Sequence, residues 1–248
     1  ILKTRKKMIT PRAKISILIG LLLFFVFVEI YFTKNHFLDD AFIHLRIAEN
    51  LIDNGFYSFN GLSEDFSTSS PLYTGLLAAL SSVHRTPYLP KIVNLVVYFI
   101  VLSVLIRAVT RSRENKQLAL LFTSLILLSS PFGIRWLTDG METGLVVLFA
   151  ILLSMSMNRL TQEILPRKQT LFFISLISGM SVLLRVEFGY ILAVIVFSLA
   201  TQCFYATKSD TLSSFKCTAR KSLPILVGGA FGAVILNLFV ISVFNNSE

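Results

Sequence analysis

Long apolar runs, not alternation, dominate the pattern of hydrophobic and polar positions along this chain. A hydrocarbon core about 30 Å thick is crossed by roughly 20 helical residues, with 17–25 tolerated. Residues 15–32 form a first run of that kind, broken only by Glu29 near its end. Residues 89–109 form a second, with Lys91 and Arg107 at its ends, where a long cation reaches the polar boundary. Residues 117–134 and the shorter 141–157 follow. Residues 170–205 are apolar apart from Arg185 and Glu187. One rod of that length would be ~54 Å, so two helices are predicted, meeting at a tight turn over 185–189. Residues 223–244 complete seven predicted spans. The run 71–83 is too short to cross and predicts an interfacial or re-entrant helix.

The one long hydrophilic segment is 33–88. Ala41, Leu45, Ala48 and Ile52 recur at helical spacing and make one apolar stripe, with Asp40, His44, Glu49, Asn50 and Asp53 on other faces. Asn54-Gly55 supplies a stop signal. Such a helix is expected to lie along a membrane surface. Ser69-Ser70-Pro71 reads as the cap and first-turn proline of a second one. The fold class is thus an all-α membrane protein, one transmembrane module over 1–248 with two interfacial helices in the loop 33–88.

Composition agrees. The chain is 54% hydrophobic, with mean hydropathy +0.72 and only 15% charged residues, against roughly 25% in a soluble domain. That excludes disorder and a water-soluble single core. The net charge of +9 becomes informative once the predicted loops are separated. With seven spans and the N-terminus inside, the stretches 1–14, 107–116, 158–169 and 206–222 hold 17 of the 23 Lys and Arg and only Glu114, Glu163 and Asp210 among the acids. The other side receives six cations and eleven acids. By the positive-inside rule the basic side is cytoplasmic. Counting 71–83 as a span would move Arg107, Arg111, Arg113 and Lys116 outside. The basic excess faces anionic lipid, so no nucleic acid is required. The basic first 14 residues precede a long apolar run without a small-residue cleavage site, as in an uncleaved anchor of a cytoplasmic-membrane protein. The C-terminus is expected outside. Cys203 and Cys217 fall on the cytoplasmic side without metal-ligand spacing and are expected to stay reduced.

Four separate places then put ionisable groups at the outer face: Asp39-Asp40, Asp139, Glu142, and the pair Arg185 and Glu187. Such groups at membrane depth are costly and usually functional. The local alternative for Asp39 is a helix N-cap contributing about 1 kcal/mol.

The stretch Asp39-Asp40-Ala41-Phe42-Ile43-His44-Leu45-Arg46-Ile47-Ala48-Glu49-Asn50-Leu51, followed by Gly55 and Phe59-Asn60, resembles the first outer loop of GT-C-fold glycosyltransferases. The likeness is to bacterial enzymes similar to terminal arabinofuranosyltransferases. Ser69-Ser70-Pro71-Leu72-Tyr73 loosely matches that family's Thr-Asn-Pro-Leu-Trp-like stretch. Gly140-Met141-Glu142-Thr143-Gly144 and Arg185-Val186-Glu187-Phe188-Gly189 follow in the family's order, with Gly144 and Val186 where it has prolines. The likeness covers roughly residues 15–200, and the family's C-terminal soluble domain has no counterpart in this sequence.

The resemblance implies a transferase that moves a sugar from a polyprenyl-phosphate carrier to a glycan or lipid acceptor outside the membrane. A carboxylate can serve as general base toward an acceptor hydroxyl, a role the resemblance gives to Asp39 or Asp40. The leaving lipid phosphate calls for fixed cations. Arg46 and Arg185 are candidates, with Lys91 behind them, and Glu142, Glu187 and Asp139 would support them. Two alternatives stand beside this reading. One is a transporter or flippase for lipid-linked glycan. The other is an inactive relative acting as scaffold for a partner glycosyltransferase.

All three histidines, His36, His44 and His84, fall in the outer loop. Asp40 and His44, at i and i+4, could share a divalent cation; without a third ligand in sequence an ordinary solvated pair is preferred, and no cofactor is assigned. Gly228 and Gly232 form a small-xxx-small face that predicts close helix packing. The Asn245-Asn246-Ser247 acceptor pattern carries no argument.

Overall fold

The computed structural model of the chain describes residues 11–61, 68–111, 123–162, 167–206 and 211–245. It is all-helical, with no strand among the described residues. The helices are α1 (Pro11–Thr33), α2 (Asp39–Asn54), α3 (Pro71–Ser81), α4 (Leu89–Arg111), α5 (Pro131–Thr138), α6 (Thr143–Gln162), α7 (Lys168–Leu184), α8 (Phe188–Ala206) and α9 (Thr211–Asn245). Residues 123–128 are also helical and lead into α5.

Among the described residues, three helical segments are long and apolar enough to cross a membrane: Leu89–Ala108, Phe188–Tyr205 and Lys216–Leu238. A fourth crossing is added if α5 and the Thr143–Asn158 part of α6, bent by 104° at their junction, count as one broken span. Against the seven full spans expected, the described residues thus support three or four. Two of the shortfalls have simple causes. Helix α7 has 17 residues, about 26 Å of rise, which falls short of the hydrocarbon thickness. The expected span 117–134 is interrupted. Residues 117–122 lie outside the described residues, and the helix over 123–128 ends before Ser130, whose hydroxyl accepts from the Gly133 amide at 3.1 Å to cap α5. Pro131 at the first position of α5 completes that restart.

The predicted turn after residue 184 is present, α7 stopping at Leu184 and α8 starting at Phe188. The two loop helices are also present, but Asp39 is not the cap of α2. Leu38 holds the cap position and makes no side-chain cap bond, so Asp39 and Asp40 sit in the first turn, where negative charge suits the helix dipole. Gly55 ends α2 with φ 73°, as its stop signal predicted. Ser70 holds the cap position of α3, yet its hydroxyl donates to Leu184 O at 2.8 Å instead of capping. The buried face of α2 is wider than the expected stripe. It includes His44, Ile47 and Asn50 besides Ala41, Leu45 and Ala48, and it packs on α3 and α4.

The main core runs through the helices, with Tyr73, Tyr98, Leu102, Leu125, Leu160, Leu184 and Leu199 fully enclosed or nearly so. The predicted close packing at Gly228 is present between α9 and α7. A methyl group built on Gly228 would lie 1.9 Å from Ser175 O, so only glycine admits this approach. Across the adjoining contact of α9 with α8, Cys203 and Cys217 are joined as a disulfide. This corrects the expectation of two reduced thiols. The packing of α8 on α9 brings the two Cα atoms to 5.9 Å, within bonding range, and sequence spacing alone could not reveal that. Residues 1–10 and 112–116 lie outside the described residues, as do Glu114, Glu163, Asp210 and the end of the Asn245-Asn246-Ser247 pattern.

Candidate functional site

Helices α4, α6 and α8 start at one end of the molecule, where α1 and α7 finish. Lys91, near the start of α4, donates to Thr33 O at 2.5 Å and His36 O at 2.7 Å, tying the end of α1 to the entry of α2. The turn 139–142 before α6 is held by three successive carbonyls. Leu38 N–H donates to Asp139 O at 3.3 Å, the Tyr73 hydroxyl to Gly140 O at 2.6 Å, and Asn94 Nδ2 to Met141 O. Gly140 has φ 93°, and a methyl group there would come within 2.8 Å of Ala41 Cβ. A side chain at 140 would therefore strain the turn and push α2 away. These constraints deliver Glu142, 2% exposed, to the floor of a cleft.

The cleft has a volume of about 200 Å³, and its lining includes Asp40, His44, Thr68, Met141, Glu142 and Arg185. It is smaller than the 300–1,000 Å³ typical of sites that enclose a whole drug-sized ligand. It suits one head group, with the remainder of a ligand outside.

Glu142 is the hub. His44 Nε2 lies 3.2 Å from Glu142 Oε2. Arg185 approaches Oε1 with Nε at 3.0 Å and Nη2 at 2.8 Å. On its far side, His44 Nδ1 is 3.0 Å from Thr74 Oγ1 and 3.1 Å from Thr68 Oγ1. The Glu142 carboxylate only accepts, so the His44 proton facing it sits on Nε2. Burial, the largest influence, works against a charge on Glu142. The His44 hydrogen bond, a bond to its own backbone amide and the nearby positive charges outweigh it, and the carboxyl is held below its ordinary value. Arg185 is carried by the turn after α7, which the Ser70–Leu184 bond fixes. Its side chain is 38% exposed, so part of the guanidinium faces the cleft and solvent.

The expected site residues separate into groups. Asp40, Glu142 and Arg185 line one cleft, together with His44. Asp39 is exposed and does not line it. Arg46 is exposed on α2 and lends its charge to Asp53, which Arg85 grips at 2.8 and 2.5 Å. Glu187 is exposed in the turn before α8, outside the cleft lining. Lys91 is buried and occupied by two carbonyls, so it anchors a loop instead of facing the cleft. Asp139, itself buried, belongs to a separate cluster with the more exposed His36 and Arg135. Its Oδ1 lies 3.3 Å from His36 Nδ1, an ion-pair distance without hydrogen-bond geometry, and Oδ2 lies 3.7 Å from Arg135 Nε. Burial first of all lifts the Asp139 carboxyl above its ordinary value, against the pull of His36, Lys91 and Arg135.

For the Asp40–His44 pair, both His44 nitrogens are already committed to Glu142 and to the two threonines, so neither is available to a cation. No group of three or more His, Cys, Asp or Glu with metal-ligand geometry occurs among the described residues. His44, expected off the apolar stripe of α2, is a buried residue of that helix. The signal was available, because His44 completes the i, i+3, i+4, i+7 set Ala41, His44, Leu45, Ala48 and so belongs to the buried face. Thr68, Thr74, Tyr73 and Asn94 carried no comparable signal.

Comparison with protein-family models, with curated proteins and with solved structures finds no match to this chain.

Proposed function

We propose that the chain is a membrane glycosyltransferase that moves a sugar from a polyprenyl-phosphate carrier to an acceptor hydroxyl on the extracytoplasmic side. One observation supports this reading above the others. The segments that resemble the GT-C family lie far apart in sequence (α2, the turn 139–142 and the turn 185–187), yet Asp40, Glu142 and Arg185 line a single cleft. In the proposed reaction the acceptor oxygen attacks the anomeric carbon of the donor. The bond from that carbon to the carrier phosphate breaks, and its electron pair leaves with the phosphate. Asp40, at the cleft lining, takes the hydroxyl proton as general base. The open part of the Arg185 guanidinium meets the charge that grows on the leaving phosphate. Glu142 and His44 position that guanidinium and do not touch the reacting atoms.

Purified protein in vesicles, supplied with radiolabelled polyprenyl-phosphate pentose or hexose and an acceptor extract, tests the reading. Transfer should be abolished by Asp40→Asn and nearly unchanged by Asp39→Asn. Full transfer by Asp40→Asn would remove the base assigned here. Passage of the labelled lipid across the vesicle with no new glycosidic bond would replace the reading by transport.

A further inference from the structure

At the end of the molecule opposite the cleft, α6 and α7 leave a groove of about 340 Å³ between them. Its walls are apolar, with Leu152 and Met155 from α6 and Phe173, Ile174 and Ile177 from α7. Ser156, Gln169 and Thr170 join the lining, and Arg167 stands at the α7 end of the groove. Arg167 is the residue before the first turn of α7, and Lys168 opens that turn; both are exposed. Neither forms an ion pair with a carboxylate among the described residues. The first turn of α7 also directs unsatisfied amide N–H groups and the positive end of the helix dipole the same way.

The two halves of this feature suit different parts of one molecule. Phe173 and Met155 are exposed while lining an apolar groove, an arrangement that water disfavours and a hydrocarbon chain satisfies. Helix α7 is largely apolar, and Lys168 in its first turn with Arg167 just before it places two cations at this end. That is where a polar–apolar boundary falls and where a lipid phosphate sits. Negative charge there is matched by Arg167, Lys168 and the helix terminus together.

We propose that this groove is a binding site for an anionic diacyl phospholipid. The phosphate is held at Arg167 and Lys168, and one acyl chain lies along Met155, Phe173 and Ile177. The site is separate from the cleft at Glu142 and does not depend on the reaction proposed there. Anionic lipid of the leaflet that meets this end would supply the occupant.

Native mass spectrometry of the full chain, released from detergent with phosphatidylglycerol or phosphatidylcholine titrated in, reads the site. The expected result is a saturable phosphatidylglycerol adduct of one lipid, preferred over phosphatidylcholine. Arg167→Gln with Lys168→Gln should weaken it some 30-fold, at about fivefold per cation near a membrane surface. Lys216→Gln with Arg220→Gln and Lys221→Gln, at the start of α9 and outside the groove lining, should leave it within about twofold. Equal loss in both sets would overturn the proposal in favour of a diffuse surface attraction. Ile177→Trp, which fills the groove without touching a charge, should also lower occupancy. Unchanged binding in that variant would overturn the acyl-chain part. Should the double variant not fold, the Ile177→Trp result and the headgroup preference of the wild type still decide.

Discussion

Replacing Glu142 by glutamine keeps the shape of the hub and removes its charge. The wild-type carboxylate receives His44 on one oxygen and two nitrogens of Arg185 on the other. A glutamine amide can accept on one side only and sets its own N–H groups against a donor on the other. Hydrogen bonds to charged groups are worth about 1.5–3 kcal/mol, and removing one partner of a buried ion pair costs about 3–5 kcal/mol. The upper figure does not apply in full. The Arg185 side chain is 38% exposed and can turn to water, whereas His44 at 7% cannot. The expected loss is about 2–3 kcal/mol, and for a chain of this size it lowers the melting temperature by about 4–12 °C. Thermal unfolding in detergent, followed by helical circular dichroism at several pH values, measures it. The pH dependence has a definite sign. Folding lowers the Glu142 value, so wild-type stability from this group is complete above the ordinary value of 4.5 and is lost as pH falls through the folded value. Asp139 is shifted upward by burial and so acts in the opposite direction, but it does so in both proteins. The gap between wild type and Glu142→Gln should therefore be widest near neutrality and narrow below about pH 4.5. A shift under about 1 °C near pH 7, or a gap that stays constant with pH, would refute the hub.

Other consequences follow from the same geometry. Lys91→Met keeps the apolar stem but deletes the donors to Thr33 O and His36 O; stability should fall by about 2–3 kcal/mol, with KM for a polyprenyl-phosphate sugar unchanged in the surviving folded fraction. A raised KM at unchanged stability would instead make Lys91 a phosphate ligand. Tyr73→Phe removes the 2.6 Å bond to Gly140 O and should lower thermal stability by about 1–2 kcal/mol, with a larger proportional loss of transfer because the turn bearing Glu142 is loosened. Gly228→Ala sets a methyl group against Ser175 O and should cost about 1–3 kcal/mol as read by the melting temperature. Gly20→Ala, with nothing within 4 Å of the added carbon, is the matched control.

Local rules of helix formation were legible in the sequence wherever one residue decided the outcome alone. Gly55 stops α2, Pro71 opens α3, and the turn at 185–187 falls where an unbroken helix would have been too long. Counting spans from apolar runs succeeded less well, because a run says nothing of where a helix breaks inside it. Ser130-Pro131 restarts a helix within one expected span, and the short helix α5 so formed meets α6 at a 104° bend. The site was half legible for a related reason. Asp40, Glu142 and Arg185 could be nominated separately, since a charged group near a membrane is conspicuous. Their partners could not, because Thr74, Tyr73 and Asn94 are ordinary helix residues until the fold sets them beside a carbonyl or an imidazole.

Ion pairing differs between the two ends of the helices. At the cleft end most cations are matched: Arg185 with Glu142, Arg135 with Asp139, Arg85 with Asp53, Lys91 with two carbonyls, and Lys34 over the Tyr31 ring. At the opposite end, Arg167, Lys168, Lys216, Arg220 and Lys221 have no carboxylate partner among the described residues, and the helices beginning there are otherwise apolar. A matched cation organises protein, since its charge is already answered within the fold. An unmatched one at the margin of an apolar helix is answered by the surroundings, and an anionic lipid surface adds about 1 kcal/mol of attraction per cation. Under the lipid-site proposal above, these unmatched cations are the charges that an anionic membrane surface would answer. At the cleft end, by contrast, the cations are largely held by acids and carbonyls of the fold, and part of the Arg185 guanidinium remains exposed beside Glu142.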